Sequence, residues 1–459
     1  MKLNELTIKQ AKEGLKAKKF SSVELTKDCL DEIKKRDKTL NSFITVTEDI
    51  ALGQAERADA LISQKAEQTL LGIPIGLKDL YLTKEIKTTA ASKVLENYTP
   101  QYDATVVSKI KDAGAVILGK LNCDAWAHGS SGENSDFGLT KNPWNEEYVP
   151  GGSSSGSAAS LAANMCLATT GTDTGGSIRL PASFCNIVGL KPTYGRVSRY
   201  GIIAMASSLD SIGHFTKTVE DSAIFLGVTA GRDLMDATTP EENVDDYCKD
   251  LNKEIKGLKI GVPKEYFMEG LDPKIKAKVE SAIKFYEKEG AEIVNISLPH
   301  TEYAIACYYI IQPSEVSSNL ARYDGVRYGN DRSAFSDEAK RRIMLGTFTL
   351  SAGYYDSYYK KAMKVRTLIK KDFEKAFEKV DVIISPVSPT LPWKIGDKVN
   401  DPLKMYLSDV YTITANLSGV PAISFPIGII EGMPVGGQLM GKWFDEEGLL
   451  NMAHTYEIN

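Results

Sequence analysis

Over the first forty residues apolar positions recur at helical spacing. Leu25, Cys29 and Ile33 share one face of a segment that opens on the reciprocal capping pair Ser21 and Glu24 and closes on Lys34-Lys35-Arg36. This pattern predicts a helix. The spacing then changes. Phe43 to Val46 is extended in character, and Leu70 to Ile75 is an apolar run, broken by Gly72 and Pro74, that leads into Lys78-Asp79. Val106 to Gly119 carries a helical pattern followed by a short strand at Ala115 to Leu118. Gly129 to Gly156 is dominated by Gly, Ser, Asn and Pro, which is loop chemistry, and the stretch from Ser157 to Ala163 is small and helix-prone. Farther on, strands are predicted at Leu258 to Val262, Glu292 to Ile296, Val380 to Ile384 and Ala422 to Phe425, with a helix over Lys274 to Glu289. Alternation of this kind predicts an α/β fold around a mixed, largely parallel sheet. Arg232 to Lys256 is polar and acidic, a surface linker rather than a domain boundary. A single domain over residues 1–459 is expected, with the catalytic core at about 60–220 and the C-terminal part supplying substrate-binding residues.

Composition narrows the function classes. Hydrophobic residues make up 42% and charged residues 25%, enough for a sizeable core. A net charge of −5 gives no global basic excess to drive nucleic-acid binding. Six irregularly spaced cysteines and four histidines form no zinc-type cluster, so no metal is expected and the thiols read as reduced. The start lacks the apolar core of a signal peptide, and no uninterrupted apolar run is long enough to span a membrane. The expectation is a cytoplasmic enzyme without a membrane anchor.

Two Gly/Ser segments stand out: Val149 to Ser157, and Thr170 to Arg179. Such segments can turn several N–H groups into one space, which suits an anion or an oxyanion. A P-loop needs a Lys after its last Gly, but Gly156 is followed by Ser157-Ala158. Gly152 to Gly156 fits G-x-S-x-G with Ser154 as nucleophile. Its lead-in Asn145 to Pro150 is polar, however, and none of His214, His300 and His454 sits in a convincing loop signature. Asp173-Thr-Gly175 is the tripeptide of aspartic proteases, which need two such carboxylates, and it occurs once. Acyl transfer without histidine remains. Ser177 follows Gly175-Gly176, whose N–H groups could cradle an oxyanion. A lysine desolvated enough to lose its proton near pH 7 could be the base. Lys78, after the apolar Ile73 to Leu77, is a candidate for that base; an ordinary surface lysine is the alternative.

Lys78, Gly151 to Ser154 and Gly171 to Arg179 together resemble the amidase signature family. Ser177 lies 24 residues after Ser153 and Lys78 lies 75 before it, as in that family. The resemblance implies an α/β/α sandwich and a catalytic triad. In it Ser177 attacks the amide, Ser153, after a cis peptide bond, relays the proton, and Lys78 is the terminal base. It further implies that Ser154 supports the network and that the N–H groups of Thr174, Gly175, Gly176 and Ser177 form the oxyanion hole.

Gly119 to Asn122, Lys141 to Trp144, Gly189 to Ser198, Ser314 to Gly325 and Gly353 to Asp356 resemble a glutamine-hydrolysing branch of the family. This implies a heterotrimer in which the chain works with B and C subunits. Ammonia released from glutamine would pass to the B subunit, which holds ATP and Mg, and would convert Glu-tRNA(Gln) to Gln-tRNA(Gln), with Asp-tRNA(Asn) as a further acceptor. No cofactor is expected in this chain. Free glutamine calls for one cation and one carboxylate, and the resemblance places these at Arg342 and Asp409 with Tyr308 nearby, Arg341 being the competing arginine. Ser155 and His128 stand where Gly and Met are common. The segment from Tyr328 to Arg341 is shorter than usual, and the chain ends soon after Glu457. A free-standing amidase acting on another small amide is the nearest alternative. A non-catalytic scaffold is a third, opposed by the joint presence of Lys78, Ser153 and Ser177.

Overall fold

The computed structural model describes residues 2–326, 329–399 and 401–459, the side chains of 402 and 403 excepted. Eleven strands lie in chain order: β1 (Phe43–Val46), β2 (Pro74–Lys78), β3 (Val116–Leu121), β4 (Ala168–Asp173), β5 (Val188–Lys191), β6 (Ser211–Thr216), β7 (Lys259–Pro263), β8 (Glu292–Ile296), β9 (Val382–Pro386), β10 (Ala422–Ile430) and β11 (Met433–Gly441). They form one sheet in the order β1-β3-β2-β4-β6-β5-β10-β11-β9-β7-β8. Every residue of β2, β3, β4, β5, β6, β9 and β11 is buried. Successive side chains point to opposite faces, so both faces of the sheet are covered by helices and loops.

The α/β layering is as the sequence predicts, but the strand directions are not. Among the described residues only β2–β3, β2–β4, β7–β8 and β7–β9 pair in parallel, and the other six neighbouring pairs are antiparallel. The parallel pairs lie towards the two ends of the sheet, where helices such as Thr105–Asp112 and Pro273–Lys288 make the crossover. The middle closes by tighter returns. Glu431 and Gly432, both at positive φ (52° and 79°), form the two-residue turn that folds β11 back on β10. Strands β4, β5, β6 and β11 fall outside the prediction, because their glycines break the alternating pattern. Those glycines serve close packing: a Cβ on Gly213 would lie 2.1 Å from the Leu190 carbonyl, and one on Gly189 2.6 Å from Ala182 Cβ.

Elsewhere the predicted elements hold to within a few residues, among them Ser22–Leu40 with its Ser21/Glu24 box, β1 and β8. The shortened segment begins at Tyr328, outside the described residues; its remainder forms a short 3-10 helix at Arg332–Ala334 before the helix Asp337–Leu350.

The helix Ser155–Ala162 begins directly after Ser154 and owes its position to its small residues. Gly156 N donates to Asn122 O at 3.0 Å, and a Cβ there would meet Ser42 O at 2.3 Å. Gly227, exposed on the helix Val219–Thr229, has nothing within 4 Å of its would-be Cβ. Gly156→Ala is therefore expected to destabilise the chain by about 1–3 kcal/mol. Gly227→Ala should stabilise it by about 0.5–1 kcal/mol. Urea unfolding of the two variants side by side checks the pair.

Candidate active site

Strands β2 and β4 run in parallel, with Ile75 level with Ala168 and Gly76 with Thr169, so their carboxyl ends open onto one crevice. β2 delivers Lys78 there. Its backbone N–H donates to Thr170 Oγ1 at 2.9 Å. Its amine is fully buried and bonds only hydroxyls: Ser153 Oγ at 2.9 Å, Ser154 Oγ at 2.9 Å and Thr172 Oγ1 at 2.8 Å. Asp79, its neighbour in sequence, is engaged elsewhere. It pairs with the buried Lys120 at 3.2 Å and accepts from Thr89 N at 2.9 Å. Burial without an adjoining carboxylate lowers the Lys78 pKa to about 8; Cys123, Asp124, Asp173 and Asp210, farther off, offset part of that fall.

Ser153 and Ser154 are held from several sides. The Gly152–Ser153 peptide is cis. Gly152 N donates to Ser130 O at 2.9 Å, Asp124 N to Ser153 O at 3.1 Å, and Ser154 N to Ser177 O at 3.3 Å. A Cβ on Gly152 would lie 2.1 Å from Asp124 Oδ2, so that position excludes any side chain. Ser177 is half-buried, and its hydroxyl has no hydrogen bond to a described residue, Ser153 included. The structure therefore closes the Lys78–Ser153 contact and leaves the Ser177 hydroxyl free at the mouth of the crevice.

The turn carrying Ser177 is shaped by an ion pair. Asp173, the last residue of β4, is fully buried and accepts from Gly176 N (2.8 Å), Ile178 N (3.1 Å), Arg179 Nε (3.0 Å) and Arg179 Nη2 (2.9 Å). The guanidinium is completed by Thr412 O, Gln438 Oε1 and Asn416 Oδ1. Burial alone would raise the Asp173 pKa, but Arg179 overcomes it and holds the carboxyl at about 2. The lone Asp-Thr-Gly tripeptide is thus a structural anchor. Gly175 and Gly176 admit close neighbours: a Cβ on Gly175 would meet Tyr308 Cζ at 2.7 Å, and one on Gly176, at φ 139°, would meet Thr412 Oγ1 at 2.4 Å. The Gly176 N–H, expected in the oxyanion hole, is taken by Asp173. Among the described residues the N–H groups of Thr174, Gly175 and Ser177 have no partner within the chain.

Of the two candidate arginines, Arg341 is exposed and Arg342 is buried. Arg342 Nε donates to Glu338 Oε1 at 2.8 Å, and its guanidinium lies 6.0 Å from the Tyr309 ring centre. Asp409 is buried too; it accepts from Ser130 Oγ at 2.8 Å and Tyr309 OH at 3.3 Å, and burial raises its pKa to about 7. Tyr308, buried against Gly175, connects this pair to the Ser177 turn. Of the histidines an elbow mechanism would need, His214 is committed to Ser222 at 2.8 Å and His300 to Asp372 at 3.0 Å, and His454 lies on the helix Glu446–Glu457. Thr172 and Arg179 lie in the Gly-rich segment that the sequence singles out, which assigns them no role, and Asp124, Ser130 and Tyr309 carry no signal that singles them out. Among the described residues, no group of three or more His, Cys, Asp or Glu could hold a metal ion, and no helix is long and apolar enough to cross a membrane. All six cysteines are free.

The Amidase family model matches residues 24–450, and the chain belongs to that family. It is similar to the A subunit of glutamyl-tRNA(Gln) amidotransferase of Geobacter metallireducens, with 55% identity over 100% of this chain and 98% of that protein. It is 53% identical to the protein of the same name from Coxiella burnetii, over 99% of this chain and 97% of that one. The crystal structure of the glutamyl-tRNA(Gln) amidotransferase A subunit from Thermotoga maritima superposes with a TM-score of 0.86 at 43% identity, covering 100% of this chain and 95% of that one.

Asp173→Asn leaves the buried Arg179 without its counter-charge. It is expected to cost about 3–5 kcal/mol of stability by denaturant unfolding. The sign with pH follows from the depressed pKa. The pair contributes fully above the unfolded carboxyl value, near 4, and its contribution is lost as pH falls toward about 2. The wild-type chain should therefore lose stability over that window by an amount the variant does not.

Proposed function

We propose that the chain is the glutamine-hydrolysing subunit of a tRNA-dependent amidotransferase. The observation that carries the chemistry is Lys78: a fully buried amine with a pKa near 8, bonded to Ser153 and one hydroxyl relay away from the Ser177 turn. Ser177 Oγ attacks the carboxamide carbon of glutamine. Its proton passes to Ser153 Oγ as the Ser153 proton passes to neutral Lys78. The tetrahedral oxyanion forms against the N–H groups of Thr174, Gly175 and Ser177, with Gly176 acting through the turn it shares with Asp173. Collapse breaks the C–N bond, and the nitrogen takes a proton back through Ser153 and leaves as ammonia. Water then adds to the glutamyl ester on Ser177 by the same relay, and glutamate departs. Ser154 and Thr172 hold the amine in line.

Arg342 binds the α-carboxylate and Asp409 the α-ammonium, with Tyr308 closing the pocket against Gly175. An incoming ammonium favours the ionised carboxylate and draws the Asp409 proton off. The chain works in a cytoplasmic heterotrimer with B and C subunits, and its ammonia serves the B subunit. That subunit would hold ATP and Mg, which would supply the activation of the side-chain carboxylate of the glutamyl group on Glu-tRNA(Gln), or of the aspartyl group on Asp-tRNA(Asn), that ammonia then converts to the amide. High similarity to the A subunits of glutamyl-tRNA(Gln) amidotransferases along nearly the whole chain supports this assignment.

The test is ammonia release from glutamine by the chain purified with its B and C partners, with and without ATP and Glu-tRNA(Gln). Release should rise with both, and Ser177→Ala, Ser153→Ala and Lys78→Met should each lower kcat/KM by about a thousandfold or more. Because neutral Lys78 is the active form, log kcat/KM should climb with pH below about 8 and level off above it. Absence of glutamine turnover under every condition, with another small amide cleaved by the chain alone, would replace this reading with that of a free-standing amidase.

A further inference from the structure

The loop from Asp124 to Asn134 is fixed along its length. The Asp124 carboxylate accepts from Gly132 N (3.0 and 3.1 Å) and Asn134 N (3.0 Å), Asn134 Nδ2 donates to His128 O at 2.9 Å, and His128 N donates to Ala125 O at 3.0 Å. Ser130 joins the loop to both halves of the site: its carbonyl accepts from Gly152 N beside Ser153, and its hydroxyl donates to Asp409. Two residues before Ser130 stands His128. Its side chain is buried, with 1% exposure, and neither ring nitrogen has a hydrogen-bond partner. Trp126 and Ala127, immediately before it, both adopt left-handed backbone (φ 59° and 62°), uncommon for non-glycine residues. The Trp126 ring packs on Tyr323 and Phe335 at 4.7 and 5.4 Å between centres, Trp126 N donates to Ala90 O at 3.0 Å and Ala127 N to Asp124 O at 2.9 Å, so packing and hydrogen bonding together set the backbone that carries the imidazole.

A buried imidazole with both nitrogens unpaired is costly unless a ligand supplies the partner. Burial first, and the nearby Arg342 guanidinium second, push its pKa well below the ordinary histidine value. The ring is therefore neutral, with one N–H to give. Arg342 commits Nε to Glu338, and neither Nη group has a partner among the described residues. We propose that His128 is a substrate-binding residue that donates a hydrogen bond to the α-carboxylate of glutamine, beside the Nη fork of Arg342. The two donors divide the work: Arg342 supplies charge and His128 the direction of approach. This rests on the glutamine reading above.

The experiment uses the intact complex with ATP and Glu-tRNA(Gln). It compares wild type, His128→Met, which removes the donor, and His128→Gln, which keeps one. Glutamine is the substrate, and glutaminol, in which a hydroxymethyl group replaces the carboxylate, is the competitor. His128→Met should raise KM for glutamine about 10- to 100-fold with kcat within about threefold. His128→Gln should recover most of that loss. The inhibition constant of glutaminol should stay within about twofold across the three proteins, and a serine-reactive probe should label Ser177 equally in all. An unchanged KM in His128→Met overturns the proposal. So does equal weakening of glutamine and glutaminol, which is the signature of a merely structural residue. If the wild-type complex releases no ammonia from glutamine, the glutamine reading itself falls and takes this inference with it.

Discussion

An amine buried among hydroxyls, with no carboxylate at its side, is the constraint on which the rest of the site depends. In water a lysine near neutral pH is almost wholly protonated. At the end of β2 the chain removes Lys78 from solvent and surrounds it with Ser153, Ser154 and Thr172, which can bond either protonation state. The shift to about 8 favours the neutral form by about 3 kcal/mol relative to a lysine in water. A carboxylate in contact would undo this, and the fold holds those around the amine on other partners: Asp124 accepts from Gly132 N and Asn134 N, and Asp210 from Thr174 Oγ1 and Met205 N. Asp79 is paired with Lys120 and Asp173 with Arg179.

The same logic governs the acid side. Asp173 could have been a second base in the crevice. Instead Arg179, Asn416 and three backbone N–H groups saturate it, and its service is to bend the chain after β4 so that Ser177 emerges beside Ser154. The bend draws Gly176 N–H inward and leaves its neighbours' N–H groups without internal partners, so one ion pair sets both the position of the serine and the set of available oxyanion donors. Strong, fully satisfied polar networks of this kind are where a core is rigid, and rigidity is what oxyanion stabilisation requires.

The chemistry was more legible in the sequence than the architecture. Ser153 and Ser177 sit in short Gly/Ser segments that stand out whatever the rest of the chain does, whereas Lys78 follows an apolar run that leaves a surface lysine open, and family likeness gave it and Ser153 their roles. The substrate end was legible only through family likeness, since its contacts join residues far apart: Ser130 and Asp409 are 279 positions from each other. Strand direction was misjudged because alternating helices and strands suggest parallel crossovers, whereas the middle of this sheet is joined by direct returns such as Glu431-Gly432. Strands β4, β5, β6 and β11 escaped because their glycines, placed where neighbouring atoms come within van der Waals distance, erase the periodicity that reveals a strand. The engagement of Gly176 by Asp173 depends on backbone orientation, which residue type alone does not specify.

The central claim is that Lys78 rests near its midpoint of ionisation at physiological pH. It is tested most directly by a nuclear magnetic resonance titration of the lysine side chains, with Lys78→Arg used to assign the signal. The account predicts that the resonance lost in Lys78→Arg titrates at about 8; burial lowers Lys191 to about 7 and Lys217 and Lys398 to about 8, so the assignment by substitution is what separates Lys78 from them. A Lys78 signal that stays fully protonated to about pH 10 in a catalytically competent complex would contradict it and would require another base for Ser177.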